Sequence, residues 1–258
     1  MAKPMDRPTL RALIDLAGAE RAQSDVPSLA EQLAAYCVEL LPVDSCAVLL
    51  ADHDGELALV AAARSQAHVL GLLEVSSGQG PTVDAYHTTD TVRCDDLATA
   101  GARWPAFAPA ALTHGAQAVS ALPLRRGGRT LGAIALIRDR PGSLPEEAVE
   151  LGQALADSAA VGILRARSLS RSTQIAAQWR AALDRRILVQ QATGILAERL
   201  KLSIEYAARL LSELAAADGV EPYRLAERFV DDPNGPIVDG AVLVRALERA
   251  VARRKKEH

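Results

Sequence analysis

The residues best able to do chemistry gather in one stretch, SSGQGPTVDAYHTTD, and just beyond it. Gly78 and Gly80 permit positive φ and close approach of backbone to a ligand, and Asp84, Tyr86 and His87 follow as polar groups facing a cavity or solvent. A surface loop stapled by its own aspartate explains the same residues equally well. Cys94 ends a short strand, but Asp95 and Asp96 beside it would raise its pKa and dull its nucleophilicity, so an inert thiol is expected. His53, His68, His87 and His114 are scattered without metal spacing, and neither a metal nor a cofactor is expected. The chain has no G-x-S-x-G elbow, P-loop or H-E-x-x-H, and does not read as an enzyme. A second group is basic: Arg185, Arg186, Arg199, Lys201 and Arg209, with the ring of Tyr223, are of types that contact phosphates and stack on bases. A solvated helix face with i, i+4 ion pairs accounts for them nearly as well.

The elements that must position these groups fall into two sets. Helical spacing from Thr9 to about Gln23 and again after Pro27 precedes a hairpin of SCAVLLAD and LALVAAAR around the turn HDGE. A short helix over 66–74, the glycine-rich stretch read as a structured loop, a short strand near Thr91 to Cys94 and a crossover containing Trp104 and Phe107 follow. AQAVSALPLRR and TLGAIALIRD then form the clearest hairpin, with a bulge or edge expected at Pro123. This order gives an α+β domain, an antiparallel sheet with helices on one face. After SLPEE, with Ser143 expected as N-cap, no proline occurs to about Lys201. That is one very long helix, or two stacked through RSLSRST, and its seam of Leu155, Trp179, Leu183 and Ile187 asks for a second copy of the chain. Two more helices, SIEYAARLLSELAAA and EPYRLAERFV, complete a small all-α bundle, and the tail IVDGAVLVRALERAVARRKKEH reads as an extra basic helix.

Composition agrees with two units. A chain of 258 residues suits a sensor-sized domain and a small helical one, and aromatics at only 3% leave alanine, leucine and valine to build the core. A net charge of -3 argues against non-specific coating of nucleic acid or anionic membrane. Three cysteines without a C-x-x-C pair indicate neither a disulfide framework nor a zinc knuckle. No apolar run approaches the ~20 residues of a membrane span, so a soluble, cytoplasmic protein is expected.

The loop GQGPTVDAY, the segment RWPAF, and SALPL with LGAIAL resemble GAF domains of actinobacterial regulators, over roughly residues 9–166. The resemblance implies a sensor for an unidentified organic ligand, held in a cavity between the strand Ala118 to Leu122 and the crossover, lined by Asp84, Tyr86, His87, Cys94, Trp104 and Ser120. A GAF enzyme, the free methionine sulfoxide reductase, uses several cysteines in one pocket, whereas only Cys94 lies in the corresponding region here.

Residues 181–231, reached through a coiled-coil linker helix at 167–180, resemble the ANTAR domain, the RNA-binding module of transcription antiterminators. Arg185-Arg186, Gln191-Ala192, Gly194-Ile195-Leu196, Glu198-Arg199, Ala207, Leu210-Leu211 and Leu225-Ala226-Glu227 match in register. The expected whole is therefore a homodimeric regulator in which a GAF-like sensor controls RNA-hairpin binding by an all-α ANTAR-like output domain, with the basic helix 237–258 lying outside the resemblance. The implied RNA contacts are Arg185, Arg186, Thr193, Arg199, Lys201, Arg209, Ser212 and Tyr223. Thr193 stands where the family has lysine, Ala208 and Ser212 where it has an aromatic residue and an arginine, and residues 180–231 carry eight bases against eight acids. Weak RNA binding is expected on that ground. The alternative is a dimeric interaction or scaffold protein whose ANTAR-like part no longer binds RNA. Gly194 costs about 1 kcal/mol within a helix, which suggests close approach of a neighbouring helix.

Overall fold

A computed structural model describes residues 6–18 and 25–231. The expected tail helix 237–258 lies outside the described residues. Two compact units divide between Ser170 and Arg171.

The first unit begins with α1 (Arg7–Leu16) and α2 (Val26–Leu40). Each starts on an aspartate that caps a backbone amide, Asp6 for Thr9 at 3.2 Å and Asp25 for Ser28 at 2.9 Å, and each has a proline in its first turn, where no amide is missed. The Tyr36 hydroxyl donates to Asp15 Oδ2 at 2.6 Å and ties α2 to α1. Strands β1 (Ser45–Ala51) and β2 (Leu57–Ala63) follow. In their turn Asp52 Oδ1 accepts the amides of Asp54 and Glu56, at 2.8 and 3.0 Å. Next come α3 (Ser65–Ser77), α4 (Pro81–Thr88), β3 (Val92–Cys94), a 3-10 turn (Leu97–Ala102) and α5 (Phe107–Thr113), then β4 (Ala118–Arg126) and β5 (Arg129–Arg138). The glycine-rich stretch read as loop therefore holds a two-turn helix: Gly78 and Gly80 only separate α3 from α4, and Pro81 starts the latter.

The sheet is antiparallel throughout, in the order β2-β1-β5-β4-β3. Every residue of β1 is buried, as are the first seven of β4, so both faces need cover. Cys46, Val48, Leu50, Leu122, Leu124, Ile134 and Leu136 share a core with α1, α2 and the start of α6 (Glu146–Leu200). The alternate residues Ala47, Leu49, Val119, Ala121, Ala133, Ala135 and Ile137 share another with α3, α5 and residues of α4. Helices thus cover both faces, not one as expected. Pro123 fits the expected edge because β3 pairs only as far as Ala121, and the register shift falls between Leu124 and Arg125.

Helix α6 starts at Glu146, with the Pro145 carbonyl accepting from Ala148 and Val149; Ser143 is not its cap but sits in a turn whose carbonyls take the Arg138 guanidinium. The chain stays helical through Ser168–Thr173, so the alternative of two stacked helices does not arise. Leu155, expected on the dimer seam, is fully buried in the first unit's core. The helical period brings it under the sheet with Ala156, Ala159 and Ile163, a face that the sequence pattern alone did not separate from the later seam.

The second unit contains the end of α6, α7 (Ile204–Asp218) and α8 (Pro222–Asp231). Ser203 caps α7 through the Tyr206 amide, and Gly219 ends it at φ 67°. Ala192, Leu196, Ala207, Leu210, Leu211, Leu214, Leu225, Ala226 and Phe229 form its core. Gly194 faces open space, so the expected helix contact there is absent.

Gly162 supplies the close approach instead: a Cβ on it would run into the Leu16 carbonyl oxygen and lie 3.2 Å from Leu29 Cδ1. Gly162→Ala is expected to destabilise the first unit by about 1–3 kcal/mol. Gly101→Ala, where a Cβ meets nothing within 4 Å, should stay within about 0.5 kcal/mol of the parent in urea denaturation.

Candidate ligand and RNA sites

Ala67, Leu70, Gly71 and Glu74 occupy one buried face of α3, and the last is an acid. Its side chain runs beneath Gly80, where any Cβ would strike it, and its Oε1 accepts the Thr82 amide at 3.2 Å. Glu74 thus caps the N-terminus of α4 from the end of the preceding helix. The residue is only 2% exposed, and neither its Oε2 nor the Thr82 hydroxyl has a partner in hydrogen-bond geometry. Burial pushes the carboxyl up to about 8; the nearby Thr82 hydroxyl and amide and the Val83 amide oppose the shift, and the negative charge of Asp84 adds to it. At neutral pH the acid form dominates.

One turn along α4, Asp84 Oδ2 accepts from Arg103 Nε and Nη2, at 3.1 and 2.8 Å, and from the Trp104 indole at 3.1 Å. The guanidinium stands 4.5 Å over the Trp104 ring, and Phe107 meets that ring edge-on at 6.5 Å. Gln79 Oε1 receives the Ala106 amide, joining the inter-helix turn to the crossover. Two expected cavity residues, Asp84 and Trp104, therefore do meet. Arg103 and Glu74 were missed; an acid aligned with Ala67, Leu70 and Gly71 was the readable sign of Glu74.

The other expected residues disperse. The Tyr86 hydroxyl donates to the Gly55 carbonyl at 3.3 Å, beside the exposed His87. Cys94 is half-buried and pairs with Val119 on the crossover face. Burial raises its pKa first, the Asp95 and Asp96 charges add to this, and the Asp96 amide and Arg103 oppose it. Ser120 must be corrected. It alternates with Val119 and Ala121 and so shares the parity of Leu122 and Leu124, on the opposite face from Asp84 and Trp104.

In the second unit, Arg185 lies 4.7 Å and Arg224 5.4 Å from the Tyr223 ring centroid. Arg224 is an addition to the expected set. Arg186, Arg199 and Arg209 are exposed. The Lys201 ammonium pairs with Glu198 at 2.6 Å. Thr193 is 5% exposed and its hydroxyl donates to the Val189 carbonyl at 2.7 Å; the Ser212 hydroxyl likewise returns to Ala208 at 3.0 Å. Both hydroxyls are spent on their own helices.

Residues 23–163 match the GAF domain family model, more than half of the sequence. The chain belongs to the GAF domain family. Residues 177–230 match the ANTAR domain, so the protein joins a GAF sensor domain to an ANTAR domain, the make-up of a signal-regulated RNA-binding regulator. No curated protein matches. Among solved structures, a domain of a putative two-component sensor histidine kinase protein from Sinorhizobium meliloti aligns with a TM-score of 0.50 and 18% identity, covering 59% of this chain and 99% of its own. The GAF domain of an Acinetobacter phosphoenolpyruvate-protein phosphotransferase gives 0.49 and 13%, covering 64% and 97%. Free methionine-R-sulfoxide reductase from Neisseria meningitidis gives 0.47 and 14%, covering 66% and 97%. No described helix is long and apolar enough to cross a membrane.

The GAF domain's buried acid makes its stability depend on pH. With its pKa raised from 4.5 to about 8 on folding, Glu74 holds its proton in the folded state while the unfolded chain has lost it. Its contribution is therefore whole below about pH 4.5 and is lost as pH rises through 8. Glu74→Gln should remove that slope, so that thermal melts from pH 5 to pH 8 show the variant gaining on the parent by a few kcal/mol. Parallel curves would mean that Glu74 is ionised throughout.

Proposed function

We propose that the protein regulates transcription antitermination: a small organic ligand bound by the GAF domain controls the grip of the ANTAR domain on an RNA hairpin, without catalysis, in the cytoplasm. The observation that carries this reading is the Tyr223 ring approached by Arg185 and Arg224. The exposed Arg186 follows Arg185 in the sequence, and none of these three arginines forms a salt bridge among the described residues. A ring beside guanidiniums that form no salt bridge among the described residues suits an unpaired base and its flanking phosphates. The grip is weak, because the Thr193 and Ser212 hydroxyls donate to carbonyls of their own helices and Lys201 is paired with Glu198. Those same three residues favour the second reading, a dimeric interaction protein that has lost RNA binding.

The protein partner is a second copy. Ile175, Trp179, Leu183 and Ile187 recur every four residues on α6 and are 45, 68, 57 and 50% exposed. Such a stripe is self-complementary across a twofold axis. Trp179, Leu183 and Ile187 are the expected seam without Leu155.

Fluorescence anisotropy of the full chain with a stem-loop RNA tests the first reading. Tyr223→Leu should weaken binding about tenfold to a hundredfold, the scale of one lost stacked base. Arg186→Gln should weaken it for all sequences and reduce the salt slope by about one. A parent protein that binds no RNA even at low salt leaves the interaction reading standing. In light scattering the parent should have twice the chain mass, and the double variant Leu183→Glu, Ile187→Glu should have the chain mass, since burying carboxylates there costs several kcal/mol.

A further inference from the structure

The β4–β5 hairpin ends in Arg125-Arg126-Gly127-Gly128-Arg129, a sequence that turn formation alone does not require. Gly127 and Gly128, at φ 58° and 75°, satisfy the two-residue turn. The arginines do not serve it. Arg126 and Arg129 are directly opposed across the ladder, a placement of like charges that disfavours the hairpin, and neither forms a salt bridge among the described residues. Arg125 is set apart by the register shift before it and anchored, its Nη1 donating to the Thr89 carbonyl at 3.1 Å.

These side chains line a cleft of about 380 Å³ whose other walls include Thr89, Thr130 and Asp157. Three guanidiniums against one carboxylate leave it doubly positive. Asp157 Oδ1 is already occupied by the Gln153 amide, whose anchor at the Pro123 carbonyl fixes the pair. A Cβ built on either turn glycine meets nothing within 4 Å, so a ligand can come down onto the backbone there. Guanidiniums presented in this way, without a salt bridge among the described residues and around an open glycine turn, match the oxygens of an anionic phosphate, whether a monoester or a diester.

We propose that this hairpin cleft binds a phosphoryl group, at a site whose lining residues are separate from the Asp84 and Trp104 cluster. The group comes either from a small phosphorylated molecule or from a nucleic-acid backbone. Arg126 and Arg129 carry the recognition, and the bound anion relieves their mutual repulsion. Asp157 limits affinity for a bare phosphate through its own charge.

The test uses the full chain and three probes: inorganic pyrophosphate, a nucleoside triphosphate, and a short single-stranded RNA. Calorimetry of the parent should show binding of at least one. The variant Arg126→Gln with Arg129→Gln should weaken it tenfold or more, while Asp157→Asn strengthens pyrophosphate binding. The melting temperature without ligand should rise in the double glutamine variant, because the opposed charges are gone, and its rise on adding pyrophosphate should be lost. RNA binding that depends on these arginines, with no response to pyrophosphate or triphosphate, places the phosphoryl group on a nucleic-acid backbone. No binding of any probe, or binding that the double variant leaves unchanged for every probe that binds, overturns the proposal; RNA binding alone, unchanged by the double variant, belongs to the ANTAR domain and counts against it.

Discussion

The sheet of the GAF domain is apolar on both faces, and most of the first unit follows from that. A sheet with one wet face could rest on a single helical layer, but β1 and most of β4 offer no polar face to water. Two layers must be supplied. The chain brings α1 and α2 from before the sheet and the start of α6 from after it to one face, and inserts α3, α4 and α5 between β2 and β4 for the other. Alanine is the means of fitting them: Ala47, Ala121, Ala133 and Ala135 let the crossover lie close to the strands, where larger residues would hold it off. Within the sheet itself, Gly132 of β5 leaves no room for a Cβ, which would strike the Leu49 carbonyl of the paired strand β1.

That arrangement makes α6 two things along one helix. From Leu155 to Ile163 its apolar residues are core. From Ile175 to Ile187 they are bare. Periodicity shows both segments as the same stripe, since the spacing of apolar residues records which face is buried but not against what. The sequence therefore revealed the helix, its rough ends and its continuation into the bundle, while the role of Leu155 depended on which strands lay beneath it. Ser120 failed for a related reason. It lies within a strand whose every early position is apolar or small, so no alternation marked one face as facing the crossover. Asp84 was legible as a polar group in the glycine-rich stretch and Trp104 as an aromatic residue of the crossover; their meeting, with Arg103 on the same carboxylate, required two elements to come together in space.

The junction of α3 and α4 holds the least expected chemistry. A carboxylate at the C-terminal end of one helix meets an unfavourable dipole, whereas at the N-terminal end of the next it meets a favourable one and free amides. Glu74 occupies both positions at once, which tempers the gain from capping α4. Sealed from water and with Asp84 nearby, its carboxyl is held in the acid form, and Gly80 is the residue that leaves room for it. The two acids divide the work: Asp84 stays tied to a guanidinium and an indole, and Glu74 stays neutral beneath the turn that precedes α4. The GQGP turn is thus packed on a buried acid that no composition or motif identifies.

The ANTAR domain is held together by an apolar core. Its core positions, Ala192, Leu196, Leu210, Leu211, Leu225 and Phe229, involve only apolar packing. Of the positions where the resemblance implies a different residue, Ser212 is exposed, Ala208 is half-buried and Thr193 is packed in. Thr193 is 5% exposed, so a lysine there would need its four-carbon stem to carry the ammonium out to solvent past its neighbours. Threonine cannot make that reach, and its hydroxyl finds the Val189 carbonyl four residues back instead. Threonine thus differs from the lysine that the resemblance implies in reach as well as in charge. A restored lysine would also have to displace packing around Ala192 and Leu196, so its effect on affinity cannot be read as a charge added to an otherwise unchanged surface.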